Sequence, residues 1–173
     1  MEMFRPDIYQ QSIFKIDYKK LKKSGIKCLL FDLDNTLSAM SISMPDAKTK
    51  SLISTLDDMG FKVIIMSNSG KKRVEPFKEH LNVDAAFKSF KPLKKKYLKI
   101  LKIYNYKDTE IAAIGDQLIT DIYGANRMGF TSILVNPIGD YDFTISKFSQ
   151  ILERKIYRKL NKLGLLTKGK YYD

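Results

Sequence analysis

Short, predominantly apolar runs recur between amphipathic segments through the middle of this chain, and that alternation leaves few folds open. Residues 26–31 (IKCLLF), 61–66 (FKVIIM), 110–114 (EIAAI) and 131–135 (TSILV) are too continuously apolar to keep one face in water. They suit strands buried on both faces of a parallel sheet. Residues 83–87 are a shorter candidate. Between them, residues 47–59 place Leu52, Ile53, Leu56 and Met59 at helical spacing, and Gly60 ends the pattern. Residues 71–80 form a shorter helix candidate, weakened by Pro76. Residues 94–104 set Tyr97, Leu98, Leu101 and Tyr104 against a lysine face. Residues 118–128 are a further helix, stopped by Gly129. Such alternation implies right-handed crossovers and an α/β, three-layer, doubly wound parallel sheet. Ligands of such sheets bind at the carboxyl ends of the strands.

The length of 173 residues fits one domain, with a core over about residues 26–136, a basic lead-in over 1–25 and a basic amphipathic tail over 147–173. The formal charge of +12 is local. Six lysines and one aspartate fall in residues 15–27, seven lysines and no acid in 91–107, and eight Lys/Arg with two acids in 147–173. That distribution points to an extended acidic partner, nucleic acid or an anionic membrane. One cysteine, Cys28, excludes an internal disulfide framework and a Cys-rich zinc site. With one histidine, His80, a His-based metal site or a Ser-His-Asp triad is not expected. Cys28 reads as a buried apolar residue of the first strand and His80 as a helix-end residue. No apolar run approaches the roughly 20 residues that span a bilayer. The first residues (MEMFRP) lack an apolar signal-peptide core, so a cytoplasmic location is expected.

The sharpest chemical feature is Asp32-Leu33-Asp34-Asn35-Thr36, directly after the first apolar run. Two carboxylates two residues apart past a strand end face one pocket if the chain bends. Their repulsion is relieved when a cation joins them, and Mg²⁺ prefers such oxygen ligands. A plain polar turn is the other reading. The second run ends in Ser67-Asn68-Ser69-Gly70. A hydroxyl, an amide and free backbone N–H groups at a helix start make an anion cradle, or an ordinary cap. Lys91-Pro92 precedes the next helix and offers a fixed positive charge to a phosphate. In so lysine-rich a chain, a solvated lysine is the plainer reading. EIAAI then runs into Gly115-Asp116-Gln117-Leu118-Ile119-Thr120-Asp121, which supplies two further carboxylates. Each alone is explained as a helix cap. In a parallel sheet all four sites open on one edge.

The order FDLDNTL, MSNSG, KP, IGDQLITD resembles the four motifs of the haloacid-dehalogenase-like superfamily of phosphohydrolases. More narrowly, the lead-in with Arg5-Pro6-Asp7, the stretch GDQLITDIYGANRMG and the following LVNPI are similar to the YqeG-like subgroup. That subgroup is itself similar to phosphatases of phosphatidylglycerophosphate. The resemblance implies a Mg²⁺-dependent phosphomonoester hydrolase with Asp32 as nucleophile and Asp34 as general acid and base. It implies Ser67 and Lys91 on the phosphate oxygens with Asn68 assisting. It places the metal on the Asp32 carboxylate, the Asp34 carbonyl and Asp116, with Asp121 direct or through water. An aspartate at position 34 fits a phosphatase rather than a dehalogenase, whose halide leaves unprotonated.

Superfamily members often insert a cap domain between these motifs. Neither the stretch from Asp34 to Ser67 nor that from Ser67 to Lys91 has room for one. The expected site is therefore open and admits a phosphate carried on something bulky. In residues 151–166, Leu152, Ile156, Leu160 and Leu163 fall at helical spacing among Arg154, Lys155, Arg158, Lys159 and Lys162. This stripe reads equally as a membrane-surface helix or as a helix packed on the domain. The segment from Phe14 to Lys27 would join the same surface, and Phe143 and Phe148 read as anchors of the tail. The leading expectation is a hydrolase of a lipid-borne phosphate such as phosphatidylglycerophosphate, peripheral at the inner face of an anionic membrane. The alternatives are a phosphatase of soluble metabolites, nucleotides or a phosphoprotein, and a binding protein that sets its basic surface on RNA or ribosomes. Nucleic acid is not favoured, because the aromatics near the lysines suit core packing better.

Overall fold

The computed structural model describes residues 1–139 and 147–173. Among the described residues six strands form one sheet: β1 (Ile8–Gln10), β2 (Cys28–Phe31), β3 (Lys62–Met66), β4 (Asp84–Ala86), β5 (Ile111–Gly115) and β6 (Thr131–Val135). Their order is β1-β6-β5-β2-β3-β4, and every neighbouring pair is parallel. Among the described residues six α-helices accompany them: α1 (Tyr18–Lys23), α2 (Ala47–Asp58), α3 (Lys71–Leu81), α4 (Lys94–Tyr104), α5 (Tyr123–Asn126) and α6 (Lys147–Lys162). The expected three-layer α/β architecture is present.

The apolar runs are continuous because both faces of the sheet are covered. Leu29, Phe31, Val63, Ile65, Ala112 and Ile114 pack against Tyr18 and Leu21 of α1, Ile53 and Leu56 of α2, and Val74 and Phe77 of α3. Their alternates Cys28, Leu30, Ile64, Met66, Ile111 and Ala113 pack against Tyr97 and Ile100 of α4 and Ala125 of α5. Burying each of the larger side chains contributes about 1.5–3 kcal/mol. Local signals set the helix ends. The Asp46 carboxylate accepts from the Thr49 N–H at 2.7 Å and opens α2. Asn82, in the left-handed region, closes α3. Helix α3 runs through Pro76. From β2 the chain moves out to β3 and β4, then returns to the other side of β2 for β5 and β6. The strand order therefore reverses between β2 and β5, where doubly wound folds place their ligands. Between Asp34 and Ser67 the named helices and strands are α2 and β3, and between Ser67 and Lys91 they are α3 and β4.

Two expectations change, and one of two open readings is selected. The lead-in belongs to the sheet: Ile8 pairs with Ile133 and Gln10 with Val135, while Ile13, Ile16, Tyr18 and Leu21 are buried. Its lysines at 19, 20, 22 and 23 stay in water. The stripe of α6 turns inward. Leu160 is fully buried and Ile156 packs with Tyr9 and Leu134, leaving Leu152 and Leu163 exposed. The helix expected over 118–128 is a π-helical turn, Leu118–Ile122, followed by the short α5. The Gln117 carbonyl accepts from both Asp121 N–H and Ile122 N–H, which widens the turn at its start. Phe143 lies outside the described residues, as does the side chain of Phe148. Cys28 is buried in β2 and His80 is exposed near the end of α3.

Candidate active site

The chain leaves β2 at Phe31, and Asp32 still joins the sheet, its N–H donating to the Ile114 carbonyl. It then bends sharply. Asn35 adopts a left-handed conformation, and the N–H groups of Leu37 and Ser38 return to the Leu33 carbonyl. This bend lets Asp32 and Asp34 face one cavity, of about 340 Å³, shared with Ser67, Asn68, Ser69, Lys91, Gln117 and Glu153.

Lys91 is the electrostatic centre. Its Nζ donates to Asp32 Oδ1 and to Asp121 Oδ1, each at 2.6 Å, and its side chain is 4% exposed. Burial opposes its charge, but the Asp121 and Asp32 carboxylates outweigh burial and hold its pKa above the ordinary lysine value. Asp32, Asp116 and Asp121 each offer an oxygen, all within 4.8 Å of one another, and all three are buried. One ammonium cannot neutralise three carboxylates. The excess appears as proton affinity. Burial, joined by the charges of Asp121 and Asp34 against the pull of Lys91, pushes Asp32 up to about 7. Burial and the neighbouring Asp32 and Asp121 raise Asp116 as well. A buried, all-oxygen, over-negative cluster is the chemistry that a hard divalent cation satisfies, so the donor set fits one.

Each carboxylate is oriented. Thr36 Oγ1 donates to Asp116 Oδ1 at 3.2 Å. Asp121 Oδ2 accepts from the Gln117 N–H at 3.1 Å. Asp121 also lies against Gly115, where an added Cβ would stand 2.2 Å from its Cγ. Only glycine at the end of β5 leaves that space. Asp34 differs from the other three. Its Oδ1 accepts from Arg73 Nε at 2.8 Å, and its Oδ2 from Ser69 Oγ at 2.6 Å. Arg73 also reaches the carbonyls of Ile42 and Ala39, tying the loop after β2 to α3. Ser67 is buried, and its Oγ accepts from the Ser69 N–H. Asn68 lines the cavity, but its amide is engaged with Lys91: Oδ1 accepts from the Lys91 N–H at 2.7 Å, and Nδ2 donates to the Lys91 carbonyl at 3.2 Å. The four sequence sites thus converge on one edge.

Arg73 and Glu153 were not singled out from sequence. Arg73 had a signal, since Lys71, Lys72 and Arg73 set three cations in the first turn of α3, against the helix dipole. Glu153 is the lone acid among the bases of α6. Its carboxylate accepts from the N–H groups of Leu118 and Ile119, and so joins α6 to the loop after β5. Burial outweighs those two bonds and pushes Glu153 up to about 7. On the far side of Glu153 lies a second cavity of about 340 Å³, lined by Tyr9, Leu134, Val135, Tyr157, Arg154 and Arg158 among others.

Carboxylates from two adjoining strand ends around a buried lysine, on this sheet order, define a phosphatase of the haloacid-dehalogenase-like superfamily. The family described as mitochondrial PGP phosphatase matches residues 1–139. The chain is 37% identical over 166 residues to "Probable phosphatase YqeG" of Bacillus subtilis, covering 94% of this chain and 95% of that protein. It is 28% identical over 142 residues to the chloroplastic "Phosphatidylglycerophosphate phosphatase 1" of Chlamydomonas reinhardtii, covering 77% of this chain and about half (53%) of that relative's length. In fold it is similar to D,D-heptose 1,7-bisphosphate phosphatase from B. bronchiseptica, solved with magnesium and phosphate. The TM-score is 0.54 at 16% identity, over 78% of this chain and 99% of that one. The chain belongs to the PGP phosphatase family and is an enzyme, a phosphatase.

Proposed function

We propose that the chain, acting as a single domain, hydrolyses a phosphomonoester through an aspartyl-phosphate on Asp32. The observation that carries this reading is the buried Asp32–Asp116–Asp121 cluster around Lys91, with Asp34 on the wall of the same cavity. An Asp32 oxygen attacks phosphorus while the bond to the leaving alcohol oxygen breaks, and Asp34 supplies the proton that oxygen takes. Water then attacks phosphorus, the bond to Asp32 breaks, and Asp34 takes the water's proton. Inorganic phosphate and the free alcohol result. Arg73 and Ser69 fix the position of the Asp34 carboxyl group for both halves. Ser67 and Lys91 bind phosphoryl oxygens, and Asn68 acts through Lys91 by fixing its backbone. The Asp32, Asp116 and Asp121 carboxylates and the Asp34 carbonyl would hold Mg²⁺, with Asp121 direct or through water. When bound, that ion supplies charge neutralisation for the transferring phosphoryl group.

The proposed substrate is a lipid phosphate such as phosphatidylglycerophosphate, with the protein peripheral at an anionic membrane surface. The name of the Chlamydomonas relative and the uncapped motif spacing support it. Among the described residues no helix is long and apolar enough to cross a membrane. The test is direct. Asp32→Asn should abolish turnover of an aryl phosphate while leaving the circular dichroism spectrum unchanged, and EDTA should silence the wild type until Mg²⁺ is restored. Retained turnover in the variant removes Asp32 as nucleophile, and activity that survives chelation removes the metal. Phosphate release from phosphatidylglycerophosphate in detergent, compared with soluble sugar phosphates and nucleotides, decides the substrate class.

A further inference from the structure

Exposed apolar side chains collect where the site opens. Neighbouring strands are all parallel, so the loops after β2 and β4 share the edge that carries Asp32 and Asp116. On the loop after β2, Ile42 is 49% and Met44 52% exposed, beside the exposed Met40 that lines the catalytic cavity. On the loop after β4, Phe90 is 63% and Leu93 59% exposed, flanking the buried Lys91. These are the large apolar residues that folding most readily hides, yet they stand in water around the mouth of the site.

Cations surround them on the same edge. Lys71 and Lys72 open α3, Lys94 and Lys95 open α4, and Lys88 lies between, all exposed and without an ion pair among the described residues. A lysine in the first turn of a helix opposes the helix dipole and weakens the helix by about 0.3–1 kcal/mol. Repeating that arrangement at two adjacent helix starts favours an external anion at this edge. The partner must therefore accept single protruding apolar side chains and also carry dense negative charge. A lipid surface with anionic headgroups does both: apolar tips enter the acyl boundary, and each nearby lysine contributes about 1 kcal/mol. Protein interfaces are depleted in lysine, and a nucleic acid gains little from Ile42 or Leu93.

We infer that the catalytic edge is itself the membrane-docking face, with Ile42, Met44, Phe90 and Leu93 entering an anionic bilayer and Lys71, Lys72, Lys88, Lys94 and Lys95 resting on its headgroups. This deepens the lipid-phosphate reading and rests on it for its purpose, though not for its geometry. It also moves the membrane contact off α6, where Ile156 and Leu160 of the stripe pack inward with Tyr9 and Leu134 and only Leu152 and Leu163 stay exposed. A phosphate displayed at the headgroup level then meets Asp32 without leaving the bilayer.

The experiment is partition onto vesicles of phosphatidylcholine with and without phosphatidylglycerol, read by co-sedimentation of the full chain. The wild type should bind the anionic vesicles and leave the neutral ones largely unbound. Ile42→Asp with Met44→Asp, and separately Phe90→Asp with Leu93→Asp, should each lower partition at least about tenfold, a loss of about 1.4 kcal/mol. Both double variants should keep the wild-type circular dichroism spectrum and melting temperature, which reports that they fold. Lys159→Glu with Lys162→Glu, on the outer face of α6, should change partition less than about threefold. Equal partition by the rim variants, a larger loss in the α6 variant, or no binding by the wild type overturns the inference. So does an oligomer in sedimentation velocity that the rim variants dissociate, because that assigns the rim to a second copy. Failure of the wild type to hydrolyse phosphatidylglycerophosphate in detergent sinks the substrate reading alone and leaves the vesicle result standing.

Discussion

Replacing Lys91 with Met tests the electrostatic core of the site. Lys91 Nζ sits 2.6 Å from an oxygen of Asp32 and of Asp121, and all three side chains are at most 8% exposed. At an effective dielectric constant of about 20, each pair contributes about 4 kcal/mol of attraction between charge centres about 4 Å apart. Removing the lysine forfeits both attractions but also recovers the desolvation of its ammonium, several kcal/mol. The net expectation is the about 3–5 kcal/mol found when one member of a buried ion pair is removed. The assay is urea denaturation followed by far-UV circular dichroism in EDTA, at about pH 8 and at about pH 5. The sign with pH follows from Asp32, whose folded pKa of about 7 lies above its unfolded value of 3.8. The burden of the ionised carboxylate is full above the folded value and is relieved as pH falls toward the unfolded one. The loss caused by Lys91→Met should therefore be largest at about pH 8 and shrink at about pH 5. Added Mg²⁺ should restore part of the stability by mass action. A variant as stable as the wild type at the higher pH, or a loss that grows on acidification, refutes the charge account.

Gly115→Ala should push Asp121 from its place, because the new Cβ would stand 2.2 Å from Asp121 Cγ; stability should fall by about 1–3 kcal/mol and Mg²⁺ titration of activity should move to higher concentration. Arg73→Ala should lower kcat with little change in KM, and limited proteolysis should cut the loop of residues 39–46 sooner, since Arg73 joins Asp34 to the carbonyls of Ala39 and Ile42. Glu153 is pushed up to about 7 from 4.5, so its share of stability is fully present at low pH and is lost as pH rises through about 7. Glu153→Gln should flatten that part of the stability–pH curve, measured by thermal melts across the range; an unchanged slope counts against Glu153 as its source.

The central sheet was legible because its strands are buried on both faces, which leaves runs such as CLLF and VIIM with no polar interruption. The carboxylates were legible because strand ends on one edge collect whatever follows each strand. Strand β1 was not, for three residues carry too little pattern and their partner lies some 125 positions away. The inward stripe of α6 has the same periodicity as an outward one, and periodicity does not say which neighbour covers it. The wide turn at 118–122 depends on one carbonyl accepting twice, which no propensity reports. Asn68 was read as a phosphate ligand from its motif, and the motif did not show that its amide also bonds the backbone of Lys91. A side chain's type shows what it is able to bind, and only its neighbours show whether that capacity is already used.

The outermost strand carries a consequence for biosynthesis. Ile8–Gln10 leaves the ribosome before the hydrogen-bond partners it will take on β6, which are synthesised more than a hundred residues later. Until then its amides and carbonyls are an unsatisfied edge beside exposed Ile13, Ile16 and Leu21, the kind of nascent segment that chaperones hold and that neighbouring chains on a polysome are apt to mispair with. The seam between β1 and β6 closes only after residues 131–135 are made, the bridge from Tyr9 to Tyr172 later still, and slow translation through residues 27–130 would lengthen the interval in which both stay open.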